Sequence, residues 1–441
     1  MGLQSGEHGC KAVLQQLFPE AFESCPHLEG VRASLVGVGR EEALAVLDGN
    51  VMVRSVPQSA TTFAEHVQLF VGQLTLAIDA AKHVVVVFDE PQAMTRAKRE
   101  EQERRDVVAR ASDDSLPTTD AYTDALLRSE RCNVYALMQH RAARPRFIDA
   151  LCVASLGRLV ETTRGAAGLW GLAFDGIDAR GASRRTDAPR TPGVLSTADA
   201  FWAPLLARAV PIGEGDLKLT DVTQRVHDAA LRPGSPVEGV VLNLVTTIDT
   251  DSLLIELLKQ QARSERPGAE DRNELTIVCL REPARKRKGG DDAGVPARYL
   301  CCDVDCLRRS VLAYLGPVNG EDEVGAVALL VAACVLCGCD FVKLAGLRVD
   351  RVLPVVQRVV RARPDVLEAM AQVFDTDPAV ARGAGAAIET VLDAYAQEPR
   401  ARRSRVSASQ DRDTQVLRAL WVLKYWSGCQ VHACAEWGFA A

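Results

Sequence analysis

A chain of 441 residues, 47% apolar and 25% charged, has the make-up of a globular protein with one large α/β domain plus a helical region, or of two domains. Its net charge of −6 excludes gripping nucleic acid by overall charge, so any basic footprint has to be local. No apolar run reaches the length of a membrane span and no signal-peptide pattern opens the chain; the expectation is an intracellular protein, cytoplasmic or nuclear, not secreted, whose 13 cysteines are thiols.

In chain order, residues 11–18 have helical spacing through Val13, Leu14 and Leu17. Residues 41–47 read as a short apolar strand leading into Asp48. A helix follows over 62–81, with Phe63, Val67, Phe70, Val71, Leu74 and Leu76 on a broad apolar face. The next strand, 83–88, again ends in an acid, Asp89. Residues 95–106 form a strongly charged helix. Arg96, Lys98, Arg99, Arg104 and Arg105 would make a face suited to gripping phosphate. The interleaved Glu100, Glu101 and Glu103 support a plainer reading, a solvated helix held by i,i+4 ion pairs.

Residues 107–209 fit a large insertion between core strands, with a mixed helix around 135–160 and a Gly/Arg-rich segment at 176–193. The stretch 211–254 carries two acid pairs, Glu214 with Asp216 and Asp249 with Asp251, the second ending the apolar run 239–248. Strands are expected at 275–280 and 298–302, separated by a basic-then-acidic surface loop at 284–292. Helices are expected over 303–315, 323–337, 349–362, 364–374, 379–394 and 414–426, with a disordered linker at 398–413. Cys334, Cys337 and Cys339 have no His/Cys pair at zinc-finger spacing and lie in an apolar helical run, so they read as core.

In open parallel sheets, active sites form at the carboxyl ends of the strands. An acid at one strand end is about as often a cap or a turn. Acids at the ends of strands from distant parts of the chain are harder to explain that way. Asp340, after the buried helix and the Gly338 turn, completes a set with Asp48, Asp89, Glu214, Asp216, Asp249 and Asp251. Carboxylates collected at one edge repel unless cations neutralise them, which implies bound divalent metal or raised pKa values. Two metal ions held this way can activate water and stabilise the leaving oxygen of a phosphodiester. No Ser/His/Asp, Cys/His, P-loop or dinucleotide-binding pattern competes.

The order strand–Asp48, strand–Asp89 with a basic helix, GEGDLK, D-x-D at 249–251 and GCDF at 338–341 resembles the PIN-like 5′ nucleases: flap endonucleases, XPG-type nucleases and the 5′→3′ exoribonucleases of the XRN family. Several details are similar to the exoribonucleases in particular. They are TPG at 191–193 ahead of GEGDLK, YLCCDVDCLR at 299–308, Asp340-Phe341, and LWVLKYWSGC at 420–429 with Trp437.

The resemblance implies an α/β PIN-like fold, with a central, mostly parallel sheet flanked by helices. It implies a nuclease core over 1–315, in which about 107–209 is an insertion or arch, and a helical region, 316–441, that completes the site through Asp340. The seven acids would be ligands of two Mg²⁺ or Mn²⁺ ions. Lys98 would act in catalysis, and Arg99, Arg104 and Arg105, on the family's basic helix, would bind the substrate's 5′ phosphate. Arg54 falls where the exoribonucleases stack a His on the terminal base, and a guanidinium can stack too. Asp216 replaces the family's usual Glu, and Glu101 falls near a Gln position. Gly346-Leu-Arg348 lacks the second Gly of the duplex-gripping turn in flap endonucleases.

The expected function is a metal-dependent 5′ nuclease degrading single-stranded RNA from its 5′ end. A flap-type DNA endonuclease and a catalytically retired, nuclease-like binding protein are the alternatives. The preference for Arg over Lys and the many Ala are the usage of a GC-rich genome, a large DNA virus being one such source.

Overall fold

The structure, a computed structural model, describes residues 9–56, 60–89, 127–128, 134–139, 143–163, 171–177, 193–197, 199–208, 212, 214–264, 275–282, 298–316, 320–339, 342, 347–375, 377–398 and 412–427. Among them, eight strands form one sheet: β1 Phe22–Cys25, β2 Ala43–Asp48, β3 His83–Val87, β4 Leu172–Ile177, β5 Gly193–Ser196, β6 Leu242–Thr247, β7 Leu275–Glu282 and β8 Arg298–Asp303. Their order across the sheet is β1-β8-β7-β6-β2-β3-β4-β5. The five central strands, β7 to β4, run parallel, while β8 at one end and β5 at the other run against them, and β1 pairs antiparallel with β8.

The central strands are mostly apolar and almost wholly buried because both faces are covered. Along β2, Leu44 and Val46 belong to the core on one face, while Ala43, Ala45 and Leu47 belong to the core on the other. The second face is roofed by two helices, Phe63–Ala80 and Ala143–Thr163. The first of these starts at a capping box: the Glu65 amide donates to Thr62 Oγ1 at 3.2 Å and the Thr62 amide to Glu65 Oε2 at 3.1 Å. The first face carries Cys10–Leu17, Gly215–Ala230, Thr250–Ser264, Val304–Leu315 and the helices beyond residue 319.

Most expected elements are present within a few residues, but two expectations are corrected. Residues 172–177 and 193–196, inside the stretch read as an insertion, are strands β4 and β5 of the central sheet. The single helix expected over 379–394 is two, Pro378–Gly383 and Gly385–Ala396, separated at the low-propensity Gly383-Ala-Gly385. Among the described residues beyond 316, Val327, Leu330, Leu420 and Trp426 share one cluster with Cys10, Leu253 and Val304. The cysteines read as core are core: Cys334, Cys337 and Cys339 are buried free thiols. No helix among the described residues is long and apolar enough to cross a membrane.

Candidate acidic site at the carboxyl edge of the sheet

Because β6, β2 and β3 are parallel neighbours, their carboxyl ends lie side by side. Asp48 is the last residue of β2, level with Val87 of β3. It also caps the helix Gly49–Arg54, accepting the Val51 amide at 3.1 Å, and is 8% exposed. Asp89 follows β3 by two residues and accepts the Gly215 amide at 2.7 Å. That amide belongs to the first turn of Gly215–Ala230, where Glu214 is the N-cap residue and Asp216 lies one residue on. Asp249 follows β6, its amide donating to Thr247 Oγ1 at 3.1 Å, and Asp251 sits in the first turn of Thr250–Ser264. The Ser252 hydroxyl of that turn donates to Asp216. Helix N-termini favour acids, so two of these elements begin where carboxylates are tolerated best.

Electrostatics show how close the acids come. Burial pushes the Asp48 carboxyl from its ordinary 3.8 up to about 7; Asp89 and Asp249 add to the rise, against the Val51 amide and Arg54. Asp216 is held well above the usual carboxylate range, first by burial and then by Asp249, Asp48 and Asp251, with the Ser252 hydroxyl opposing. Five acids from four separate stretches of sequence therefore act on one another at one edge. Glu214 is buried on the same turn but is not among the charges that weigh most on Asp48 or Asp216. Arg54 is exposed and within electrostatic reach of Asp48. Asp340, Lys98, Arg99, Arg104 and Arg105 lie outside the described residues.

The donor set consists of carboxylates, the chemistry that suits hard divalent cations. Among the described residues, no group of three or more His, Cys, Asp or Glu is placed so that it could hold a metal ion. The acids are thus gathered within reach of one another, but their side chains do not already surround one point. Mutual repulsion between carboxylates favours such an open arrangement, and the gathering of five buried or half-buried acids is the feature that a cation would relieve.

Sequence reasoning overlooked three residues. Lys218, on the turn that carries Glu214 and Asp216, is fully buried and donates from Nζ to the Phe88 carbonyl at 2.8 Å. Gly176 has φ +86° beside it. Arg208 pairs with Asp175 at 2.7 Å and with Asp221 at 2.8 Å. The lysine stands in the GEGDLK motif and was legible there, whereas the other two depend on the placement of β4. No protein-family model matches the chain, and a comparison with curated proteins finds no relative.

Proposed function

We propose that the chain is a divalent-cation-dependent nuclease of the PIN-like 5′ nuclease class, acting as a 5′→3′ exoribonuclease on single-stranded RNA. One observation carries the reading. Asp48, Asp89, Asp216, Asp249 and Asp251 meet at the carboxyl edge of a parallel sheet, where burial first, and the neighbouring acids after it, raise Asp48 to about 7 and Asp216 well above the carboxylate range. A fold with no use for cations has no reason to keep acids at such a cost. The preference for RNA rests on the motifs at 191–193, 299–308 and 420–429.

Asp48, Asp89, Asp216, Asp249 and Asp251 would hold Mg²⁺ or Mn²⁺, with Glu214 and Asp340 as the remaining members of the set. Bound ions of this kind supply Lewis-acid stabilisation of a phosphodiester and an activated water. The chain's own residues set the frame for that chemistry. The Gly215 amide orients Asp89, and the Ser252 hydroxyl orients Asp216. Arg54, exposed at the end of its helix, offers a planar guanidinium to a phosphate or base at the rim. Lys98, Arg99, Arg104 and Arg105 are the candidates to receive the 5′ phosphate.

A second reading, a nuclease-like fold that binds without turnover, is favoured by the absence of a closed three-ligand arrangement among the described residues. One experiment separates the readings. A 5′-monophosphorylated, 3′-labelled single-stranded RNA is incubated beside a matched DNA flap with Mg²⁺ or Mn²⁺, and Asp249→Asn serves as control. Loss of the RNA alone, abolished by the substitution, is the expected result. Flap cutting alone would move the activity to DNA, and silence on both with no calorimetric cation binding would leave the binding protein.

A further inference from the structure

We propose that Lys218 is a positioning residue of the acidic edge. With the Gly215 amide it forms a two-point clamp on residues 88–89, and Gly176 supplies the space its ammonium group needs. The geometry stands by itself; its consequence for cations rests on the function proposed above.

Residues 215 and 218 are three apart on the first turn of Gly215–Ala230, so they face the same way. One holds Asp89 through its backbone amide at 2.7 Å, the other holds the Phe88 carbonyl through Nζ at 2.8 Å. Both contacts reach about 130 residues back along the chain, to the segment leaving β3. The clamp thus ties the turn bearing Asp216 to the strand end bearing Asp89.

The space for it is made by β4. Its register with β5 shifts between Asp175 and Ile177, and Gly176 at that irregularity takes φ +86°. A Cβ at Gly176 would lie 2.6 Å from Lys218 Nζ and 2.7 Å from the Phe88 carbonyl oxygen, closer than real contacts allow. Residue 176 is therefore constrained twice, by a left-handed conformation and by the ammonium group beside it.

A fully buried ammonium is costly to desolvate, and a carbonyl acceptor alone does not require a charged donor. A positive charge next to Asp89 and two residues from Asp216 is explained by the negative charge gathered there. Lys218 fixes the peptide that leads into Asp89 and brings a cationic side chain to the turn of Asp216.

The test uses the full chain with Lys218→Met, which keeps the apolar stem, Lys218→Gln, which keeps a neutral donor, and Gly176→Ala. The first readout is metal-free amide exchange. Lys218→Met should speed exchange at Gly215 about tenfold, the size of one lost charge-assisted hydrogen bond, and leave Val222 and Val226 of the same helix unchanged. Lys218→Gln should keep part of the protection, and Gly176→Ala, which displaces the ammonium group from the other side, should lose it. If Lys218→Met does not fold, the other two variants carry the same comparison. Unchanged exchange at Gly215 would overturn the clamp; so would a rise spread along the whole helix, the mark of a merely structural residue. The second readout is Mn²⁺ affinity by calorimetry, expected to weaken about tenfold with the clamp lost. Unchanged affinity in a variant whose Gly215 protection is gone would overturn the positioning role. A wild-type chain that binds no Mn²⁺ would refute the proposed function instead, with the exchange result still deciding the clamp.

Discussion

Two groups of buried carboxylates lie near the same edge of the sheet, and the chain treats them in opposite ways. Asp175, level with Val87 near the end of β4, is met by Arg208 at 2.7 Å; Arg208 and Arg225 then share Asp221, each at 2.8 Å. Burial works against the charge of Arg208, but Asp175 and Asp221 outweigh it and leave its pKa above the ordinary value. Two strands away, Asp48 meets other acids, with Arg54 only the weakest of the influences upon it, and its pKa rises to about 7. Where these carboxylates serve the fold alone, the chain supplies guanidinium partners. Where they gather at the ends of β2, β3 and β6, burial and neighbouring acids together raise Asp48 and Asp216, a load that a cation would relieve on the function proposed above.

The largest effect expected from breaking this contrast is at the paired end. Arg208→Met should lower the stability by about 3–5 kcal/mol, because buried Asp175 loses its guanidinium partner while Asp221 keeps only Arg225; urea unfolding measures it. A stability equal to wild type would mean that the pairing is not what keeps Asp175 and Asp221 in place. At the other end, Asp249→Asn should slow cleavage about a thousandfold, roughly 4 kcal/mol of barrier, with no loss in Tm.

Asp48→Asn sharpens the contrast through pH. The folded-state pKa of Asp48 is raised above its ordinary 3.8 to about 7, so its contribution to stability is complete below pH 4 and is lost as pH rises through 7. In metal-free protein the substitution should therefore stabilise by about 4 kcal/mol at pH 8 and by almost nothing at pH 4, while Asn can still accept the Val51 amide. Mg²⁺ should raise the Tm of the wild type at pH 8 and do less for this variant. The smallest effect belongs to Ser252→Ala, about 1 kcal/mol of stability and a severalfold loss in cleavage, from one hydrogen bond to Asp216. Equal cleavage by Ser252→Ala and wild type would show that Asp216 needs no orienting partner.

Much of this was legible because β2, β3 and β6 are buried on both faces and so read as unbroken apolar runs, each stopping at an acid. The helix bounds came out well where periodicity was strong, as in Val349–Ala362, which was read without error. The ends of the sheet were less legible. β1 is four residues, FESC, with a burial pattern no alternation rule would single out. β4 is interrupted by Asp175 and Gly176, whose places depend on Arg208 and Lys218, residues distant in sequence. At the acidic site the identities of the acids could be read from the sequence, but their mutual influence, and the buried lysine tied to them, follow from strand order and could not.

The shared core has a consequence for how the chain is made. One hydrophobic cluster runs from Cys10 and Val13 to Trp421 and Trp426, covering the first face of the sheet with helices from both ends of the described chain. A ribosome that has delivered β8 needs on the order of ten seconds more before residue 426 emerges. Through that interval the apolar outer side of Thr250–Ser264 and Val304–Leu315, which the later helices cover, stands exposed. The nascent protein therefore meets its greatest aggregation hazard late in synthesis, and removing Arg412–Trp426 should strand it in that state.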